Sequence, residues 1–320
     1  MHCSFRAVEQ LGSLVMFAYI VRRFFRAILT IVFVVTLVFV ALRVTGDPVT
    51  MMLGENATPD LVDEYRSRYG LDKPLTVQYF RFMRAAAEGD FGTSLWQKEP
   101  ALDLVLDRVP ASVELAGVSM LFALAFALPI GVWSAVNRNT FGDRLIMVFT
   151  LFGQSAPTFW VGIMLILIIA VKLRLLPTSG RDGIPNLILP SLTLAIWAIA
   201  PIARMTRSAM LDILSKTYIN TARAKGLRER RVLFVHAFRN AAIPVVTIVA
   251  MQLGGLLSGS MVTETVFAWP GFGRLAIQSI MQRDYPVVQA IVFLVSVTFV
   301  LINFGVDVLY AWLDPRIRYE

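Results

Sequence analysis

Residues 115–136 read LAGVSMLFALAFALPIGVWSAV, a run of 22 residues without Asp, Glu, Lys or Arg. A helix of this length is about 33 Å long, which is enough to cross the hydrocarbon core of a bilayer. The whole chain shares this character, because 57% of its 320 residues are hydrophobic and only 16% are charged, where a soluble domain has about 25%. The sequence therefore predicts an all-α membrane protein.

Apolar windows of this kind, uncharged except for Arg26 and Arg43 in the first, predict six transmembrane helices, at about 24–43, 115–136, 145–171, 183–203, 240–263 and 285–306. The first window reaches this length only if Arg26 extends its long side chain to the membrane surface. The segment 44–110 between the first two spans is amphipathic. In it, Thr58-Pro59 is typical of a helix start and Gly70 of a helix end, and a second helix is predicted from about Pro74 to Glu88.

The distribution of cations predicts the orientation of these spans. Arginines precede the first span, separate the second from the third and end the chain, and the loop 204–239 carries nine Lys/Arg against two acids. With six spans these segments share one side, which the positive-inside rule makes cytoplasmic. Both termini are then cytoplasmic and 44–110 is extracytoplasmic. A single domain is predicted over 16–320, with 1–15 as a possible N-terminal extension because MFAYIVRRFF is a more natural start.

The sequence lacks the motifs of several function classes. It has no G-x-x-x-x-G-K-[ST] phosphate loop, and its one Cys and two His leave no cluster with metal-ligand spacing. We therefore predict no catalytic, cofactor-binding or metal-binding residues, and a chain that is not an enzyme. Nucleic acid is not expected as a partner, since the basic residues lie in a loop between apolar spans. Energy for transport would come from another subunit or from an ion gradient.

A transporter powered by another subunit is one possibility at this point, and an ion-coupled carrier or a passive channel is a second. An ion-coupled carrier places ionisable groups inside the membrane, and the six windows contain none beyond Arg26 and Arg43 at the ends of the first. This argues against ion coupling but leaves a passive channel open. A membrane scaffold whose basic loop recruits other proteins is the third possibility.

The stretch 218–231, YINTARAKGLRERR, lies in the basic loop and has a pattern of its own. Tyr218, Ala222 and Gly226 are four residues apart, so a helix would present them in one row. Gly226 also suits the left-handed position that follows a helix end. A helix to about Lys225, a turn at Gly226 and a second helix into the fifth span are predicted. An ordinary solvated basic loop is the alternative.

The third span contains a polar interruption. Gln154 and Ser155 stand directly before Ala156-Pro157, and a broken helix can free backbone groups to line a transport pathway. Pro190 and Pro201 interrupt the fourth span in a similar way. Gln154 and Ser155 are therefore candidate pathway residues, with a purely structural kink as the alternative.

An ordered series of motifs resembles one transporter family. TARAKGL at 221–227 and HAFRNAAIPVVT at 236–247 resemble the EAA loop of ABC importer permeases in the form seen in the peptide/nickel subfamily. GDFGTSL at 89–95, ETVFAWPGFGRL at 264–275 and RDYPVVQA at 283–290 resemble its other motifs. The chain departs from the general E-A-A pattern, because Asn220 and Thr221 occupy the first two places.

The resemblance implies the transmembrane domain of a type I ABC importer in a bacterial inner membrane. Such a permease forms half of a translocation pathway. Its expected partners are a second related permease, two cytoplasmic ABC ATPase subunits that hold ATP and Mg, an extracytoplasmic substrate-binding protein and membrane lipid. The loop 218–231 would couple to the ATPase, through Thr221, Ala222, Arg223, Lys225 and Gly226. Dipeptides, oligopeptides, glutathione and nickel complexes are all compatible substrates.

Overall fold

The protein is described by a computed structural model over residues 22–313, except 24, 27, 42, 45–48, 50–52, 54–57 and 69. The possible extension 1–15 lies outside the described residues. In chain order the helices are α1 (Ile28–Ala41), α2 (Pro59–Arg68), α3 (Leu75–Ala87), α4 (Ala101–Leu106), α5 (Val109–Val136), α6 (Phe141–Ser155), α7 (Thr158–Leu165), α8 (Ile184–Leu214), α9 (Thr217–Ala224), α10 (Phe238–Val266), α11 (Phe272–Met281) and α12 (Tyr285–Leu313). Ile166–Lys172 prolongs α7 as a π-helix, and Glu229–Arg231 with the π-helical Val232–Ala237 leads into α10.

Contacts divide the chain into two compact units. Unit 1 comprises Met1–Val109 and Leu275–Glu320, and unit 2 comprises Pro110–Arg274. The single domain predicted over 16–320 stays a prediction.

Unit 1 contains the predicted external helices. Helices α2 and α3 coincide with the two helices expected in 44–110, and Gly70 has φ +66° just after α2. Aromatic packing joins α1 to α3, since the Phe39 ring centroid lies 5.4 Å from that of Tyr79 and 5.5 Å from that of Phe82. The Phe39 side chain is almost fully buried.

The start of α12 is held by a buried carboxylate of unit 1. Asp284 accepts a hydrogen bond from the Ser94 hydroxyl and another, at 3.1 Å, from the backbone N–H of Leu95. The Trp96 indole N–H donates to the Gln282 carbonyl at 3.0 Å. Two of the motifs that carry the family resemblance, GDFGTSL and RDYPVVQA, therefore contact each other in the fold.

Unit 2 is built around α8, which packs against α6, α7 and α10. Its shared core with α5 is rich in alanine, including Ala116, Ala123, Ala127, Ala195, Ala198 and Ala203. Small side chains let helices approach closely within a membrane. At Gly131 the approach is so close that a Cβ atom would lie 2.7 Å from the Ala203 carbonyl oxygen. Glycine is thus required there by the neighbouring helix.

The structure supports most of the predicted spans but does not reproduce the count of six. Within the described residues, four helical stretches are long and apolar enough to cross a membrane: Ala101–Val136, Ile184–Leu214, Glu229–Leu257 and Tyr285–Gly305. The apolar helix α1 has a shorter described length, and residues 24, 27 and 42 of the predicted first span are outside the described set. The count of six therefore stays a prediction.

The predicted third span is strongly bent. Helices α6 and α7 meet at 102°, with the break at Ala156-Pro157. Ala156 has the extended backbone (φ −71°, ψ 134°) that a following proline favours. The break falls where Ala156-Pro157 was predicted to interrupt the third span, because proline interrupts the hydrogen-bond ladder there.

The predicted fourth span and basic loop need a correction. Helix α8 runs through Pro190 and Pro201 without a break and ends only at Leu214. Residues 204–214 are therefore helical, and the loop predicted at 204–239 is shorter than expected. Charged residues mark where a helix leaves the hydrocarbon, but they do not end the helix, because its hydrogen bonds are internal.

Candidate functional site

One buried side chain anchors helix α9 within unit 2. Ile219 is fully buried in an apolar cluster that also contains Met210, Val232, Ala237 and Ala241. The remaining residues of α9 are exposed, apart from the half-buried Ala222. An eight-residue helix is not stable by itself in water, so this tertiary contact is what holds α9 in place.

The turn after α9 has the geometry of a Schellman motif. The Gly226 N–H donates to the Arg223 carbonyl at 2.9 Å, and the Leu227 N–H reaches the Ala222 carbonyl at 3.4 Å. Gly226 has φ +76°, while the space around it is open. The predicted helix end and turn are confirmed, and the glycine is required by backbone conformation and not by crowding within this chain.

The row predicted from Tyr218, Ala222 and Gly226 is not exposed along its whole length. Ala222 packs against the chain's own cluster beneath α9, so its small side chain faces inward. Thr221, Arg223, Lys225 and Gly226 are exposed. Tyr218, which was expected in the same row, accepts a hydrogen bond from the Asn240 amide at 3.1 Å.

The charge of Arg223 is compensated within the chain. Its guanidinium donates to both carboxylate oxygens of Glu229, at 2.7 and 3.2 Å, across the Gly226 turn. This hydrogen-bonded carboxylate raises the pKa of Arg223. The pair braces the turn from outside, and Lys225 stands exposed beside it.

The two candidate pathway residues have different surroundings. The side-chain amide oxygen of Gln154 accepts a hydrogen bond from the Arg204 guanidinium at 2.9 Å, which links α6 to α8. The Ser155 hydroxyl donates to the Leu151 carbonyl of its own helix at 3.0 Å. The structure thus brings Gln154 together with a cation, but it does not bring Ser155 to the same group.

A buried ion pair was missed at the sequence level. Asp143 in the first turn of α6 accepts hydrogen bonds from Arg207 of α8 at 2.7 and 2.9 Å, and a further one from the Ser134 hydroxyl. Arg207 had been counted only as a loop cation. The available sequence signal was Thr140 with an acid three residues later, which is typical of a helix start. In the structure the Thr140 hydroxyl caps α6 by accepting a hydrogen bond from the Asp143 N–H.

Unit 2 contains a second buried carboxylate. Glu264 is completely buried and accepts hydrogen bonds from the hydroxyls of Ser112 and Ser260 and from the Arg274 backbone N–H, at 2.7 to 2.9 Å. The Trp269 indole N–H donates to the Ala111 carbonyl at 2.8 Å. The motif ETVFAWPGFGRL therefore folds around its own glutamate.

Metal ligands are not assembled in the part of the chain that the structure describes. No group of three or more His, Cys, Asp or Glu residues there could hold a metal ion.

Comparison with known proteins identifies the family. Residues 16–116 match the N-terminal model of the binding-protein-dependent transport system membrane component, and residues 127–319 match the model of the binding-protein-dependent transport system inner membrane component. The chain is 44% identical over 306 residues to a glutathione transport system permease protein of Salmonella paratyphi A, covering 95% of this chain and all of the relative. It is 43% identical, with the same coverage, to the corresponding protein of Escherichia coli strain K12.

Solved structures support the same fold. An inward-facing structure of the MetNI methionine ABC transporter matches with a TM-score of 0.58, at 21% identity, over 66% of this chain and 96% of that chain. An amino acid ABC transporter structure matches with a TM-score of 0.51 at 14% identity, over 65% of this chain and 92% of that chain. At these identities the likeness concerns the fold alone. Taken with the two family models and the full-length relatives, the motifs establish that the chain belongs to the binding-protein-dependent transport system inner membrane component family and is the permease subunit of an ABC importer.

Proposed function

We propose that this permease imports glutathione or a closely related small peptide. The observation that carries the proposal is the identity of 43–44% to glutathione permeases along their whole length. Nickel complexes have less support as the substrate, because these relatives are named for the transport of glutathione, a tripeptide with a thiol group.

The proposed assembly contains this chain, a second related permease, two cytoplasmic ATPase subunits and an external substrate-binding protein. ATP and Mg would bind to the ATPase subunits. Both termini of this chain would be cytoplasmic, which puts α9 on the ATPase side of the bacterial inner membrane and 44–110 on the binding-protein side.

The coupling surface in this proposal is the exposed side of α9 and its turn. Thr221, Lys225 and Gly226 would contact the ATPase directly, and Arg223 would contact it while paired with Glu229. Ala222 contributes from the inner side, by letting α9 lie close to the apolar cluster that holds Ile219. A push on α9 would then pass to α8 and α10, since Met210 and Ala241 belong to the same cluster.

A bulky substitution on the exposed side of α9 tests this surface. Thr221→Trp should weaken co-purification of the ATPase by about tenfold or more and abolish ATP-driven uptake into proteoliposomes, because an indole would hold the two surfaces apart. Asp212→Trp is the matched control at an exposed position of α8, and it should retain both properties. Normal ATPase retention by Thr221→Trp would refute the coupling surface.

The substrate is tested separately, by uptake of radiolabelled glutathione into cells that carry the whole transporter. We expect uptake that requires the binding protein and is competed by unlabelled glutathione. Transport of a dipeptide without transport of glutathione would refute the substrate proposal and leave the importer function intact.

Gln154 and Ser155 remain proposed pathway residues. Gln154→Leu should raise the KM for uptake, because it leaves the Arg204 guanidinium without its acceptor beside the break between α6 and α7. Ser155→Ala, which removes a hydroxyl that bonds its own helix, should have the smaller effect. Unchanged KM in Gln154→Leu would remove it from the pathway.

A further inference from the structure

Arg204 and Arg207 lie one turn apart on α8, but their side chains reach opposite ends of α6. Arg207 pairs with Asp143 in the first turn of α6, whereas Arg204 donates to the side-chain oxygen of Gln154 in its last turn. Gln154 lies 11 residues beyond Asp143, which is about 16 Å along a helix. The Arg204 guanidinium is therefore held beside the break between α6 and α7, and not at the start of α6.

The direction of the Arg204 side chain differs from that of an ordinary interfacial arginine. In the proposed orientation the start of α6 lies at the cytoplasmic surface, so Arg204 extends away from that surface. An arginine near the end of a span normally directs its guanidinium to the membrane surface, where water hydrates the charge. A guanidinium at greater depth requires a water-filled cavity or an anion, because hydrocarbon does not solvate it. The position of Arg204 therefore indicates a polar pathway at the break.

The charge of Arg204 is not compensated within the described part of the chain. Its one hydrogen-bond partner there is the neutral amide of Gln154. Arg207, by contrast, donates to both oxygens of the Asp143 carboxylate. An arginine fork has further N–H donors beyond the one that Gln154 accepts. The Arg204 group can therefore take a carboxylate from outside the chain without giving up a carboxylate of its own.

The C-terminal carboxylate is common to glutathione and to other small linear peptides. A carboxylate fits the planar guanidinium through two parallel N–H···O bonds. We propose that the Arg204 guanidinium binds the C-terminal carboxylate of the substrate as it passes the break between α6 and α7, an assignment that rests on the proposed import of a peptide. Gln154 positions the guanidinium by accepting one of its N–H groups. Arg207 is held by Asp143 and takes no part in this contact.

Uptake of glutathione and of glutathione amide, in which a carboxamide replaces the C-terminal carboxylate, tests the proposal. The whole transporter is reconstituted in proteoliposomes with saturating loaded binding protein, whose own preference is the same for every variant. Arg204→Gln should lower the ratio of glutathione uptake to amide uptake about tenfold. Arg204→Lys keeps the cation and should lower it by no more than about threefold. The matched control Arg144→Gln, at an exposed position of α6, should leave the ratio unchanged.

A second variant occupies the guanidinium without removing it. Gln154→Glu gives Arg204 a carboxylate partner inside the chain, so glutathione uptake should fall about fivefold. This variant also tests the site if Arg204→Gln does not assemble with the ATPase. If the wild type does not carry glutathione, a dipeptide and its C-terminal amide replace the two substrates, which separates a wrong substrate from a wrong role of Arg204.

Three outcomes would overturn the assignment. Equal losses of both substrates in Arg204→Gln would mean a structural role or a carboxylate supplied by another subunit. The same change of ratio in Arg144→Gln would mean a general effect of surface charge. Undiminished glutathione uptake by Arg204→Gln or by Gln154→Glu would show that the substrate does not bind to this guanidinium.

Discussion

Unit 2 buries two carboxylates, and it neutralises them in different ways. Asp143 is 2% exposed and forms a two-pronged ion pair with Arg207, whose side chain is 27% exposed. Glu264 is fully buried, and its three hydrogen bonds come from two hydroxyls and one backbone N–H. The guanidinium of Arg274 is close by in sequence, but it donates to the Ala268 carbonyl.

The difference follows from what each carboxylate joins. Asp143 lies at the start of α6, and its partner Arg207 lies toward the end of α8. A long Arg side chain can span the distance between two separate helices. Glu264 of α10 is joined to Ser112 of α5 and to the first turn of α11, where a hydroxyl and a backbone N–H group are within reach. An ion pair depends on its partner charge, whereas a hydrogen-bonded cage depends on tight geometry. The following substitutions separate these two dependences.

The largest effect is expected from Arg207→Met. It leaves the buried Asp143 carboxylate without its cation, which should cost about 3–5 kcal/mol of unfolding free energy. The measurement is thermal unfolding in detergent followed by tryptophan fluorescence. Adding Asp143→Asn should recover part of the loss, because the uncompensated charge is then gone. A double variant no more stable than Arg207→Met alone would show that charge is not what this site depends on.

Gly271→Ala tests the geometry of the Glu264 cage. A Cβ atom at Gly271 would overlap the Glu264 carboxyl carbon and the Ser112 hydroxyl, so we expect a loss of about 2–3 kcal/mol. Gly117→Ala is the matched control within α5, where nothing lies within 4 Å of the new methyl group. It should be neutral or slightly stabilising. Equal behaviour of the two alanines would refute the tight cage.

Glu264→Gln keeps the shape of the side chain and removes its charge. The amide can still accept from the two serines, but its NH₂ group meets the Arg274 N–H, so about 1–2 kcal/mol should be lost. The change in unfolding temperature should be smaller than that of Arg207→Met. A larger change would mean that the charge of Glu264, and not only its hydrogen bonds, holds the motif ETVFAWPGFGRL.

The smallest effect is expected from Arg223→Gln on the surface. The partners Arg223 and Glu229 are 41% and 52% exposed, and exposed ion pairs contribute at most about 1 kcal/mol. We expect a change in unfolding free energy of no more than about 0.5 kcal/mol. A loss comparable to that of Arg207→Met would show that the Gly226 turn needs this brace to form.

Much of the site on α9 could be predicted from local sequence. Its helix end and the left-handed turn depend on Gly226 and its immediate neighbours, and both were found where the pattern indicated. The direction of Ala222 could not be predicted, because it depends on Ile219 entering a cluster made by α8, α10 and the stretch between α9 and α10. Spacing along a helix defines rows of residues, but the neighbouring elements decide which row is buried.

The sequence by itself determined the all-α membrane class, the approximate spans, the two helices in 44–110 and the family, since these depend on hydropathy, local stop signals and ordered motifs. The tertiary structure decided the 102° angle between α6 and α7, the inward side of α9 and the partners of the buried acids. Arg207 lies 64 residues from Asp143, and Ser112 lies 152 residues from Glu264. Such contacts form only when packed helices bring distant residues together, and no local pattern specifies which residues will meet.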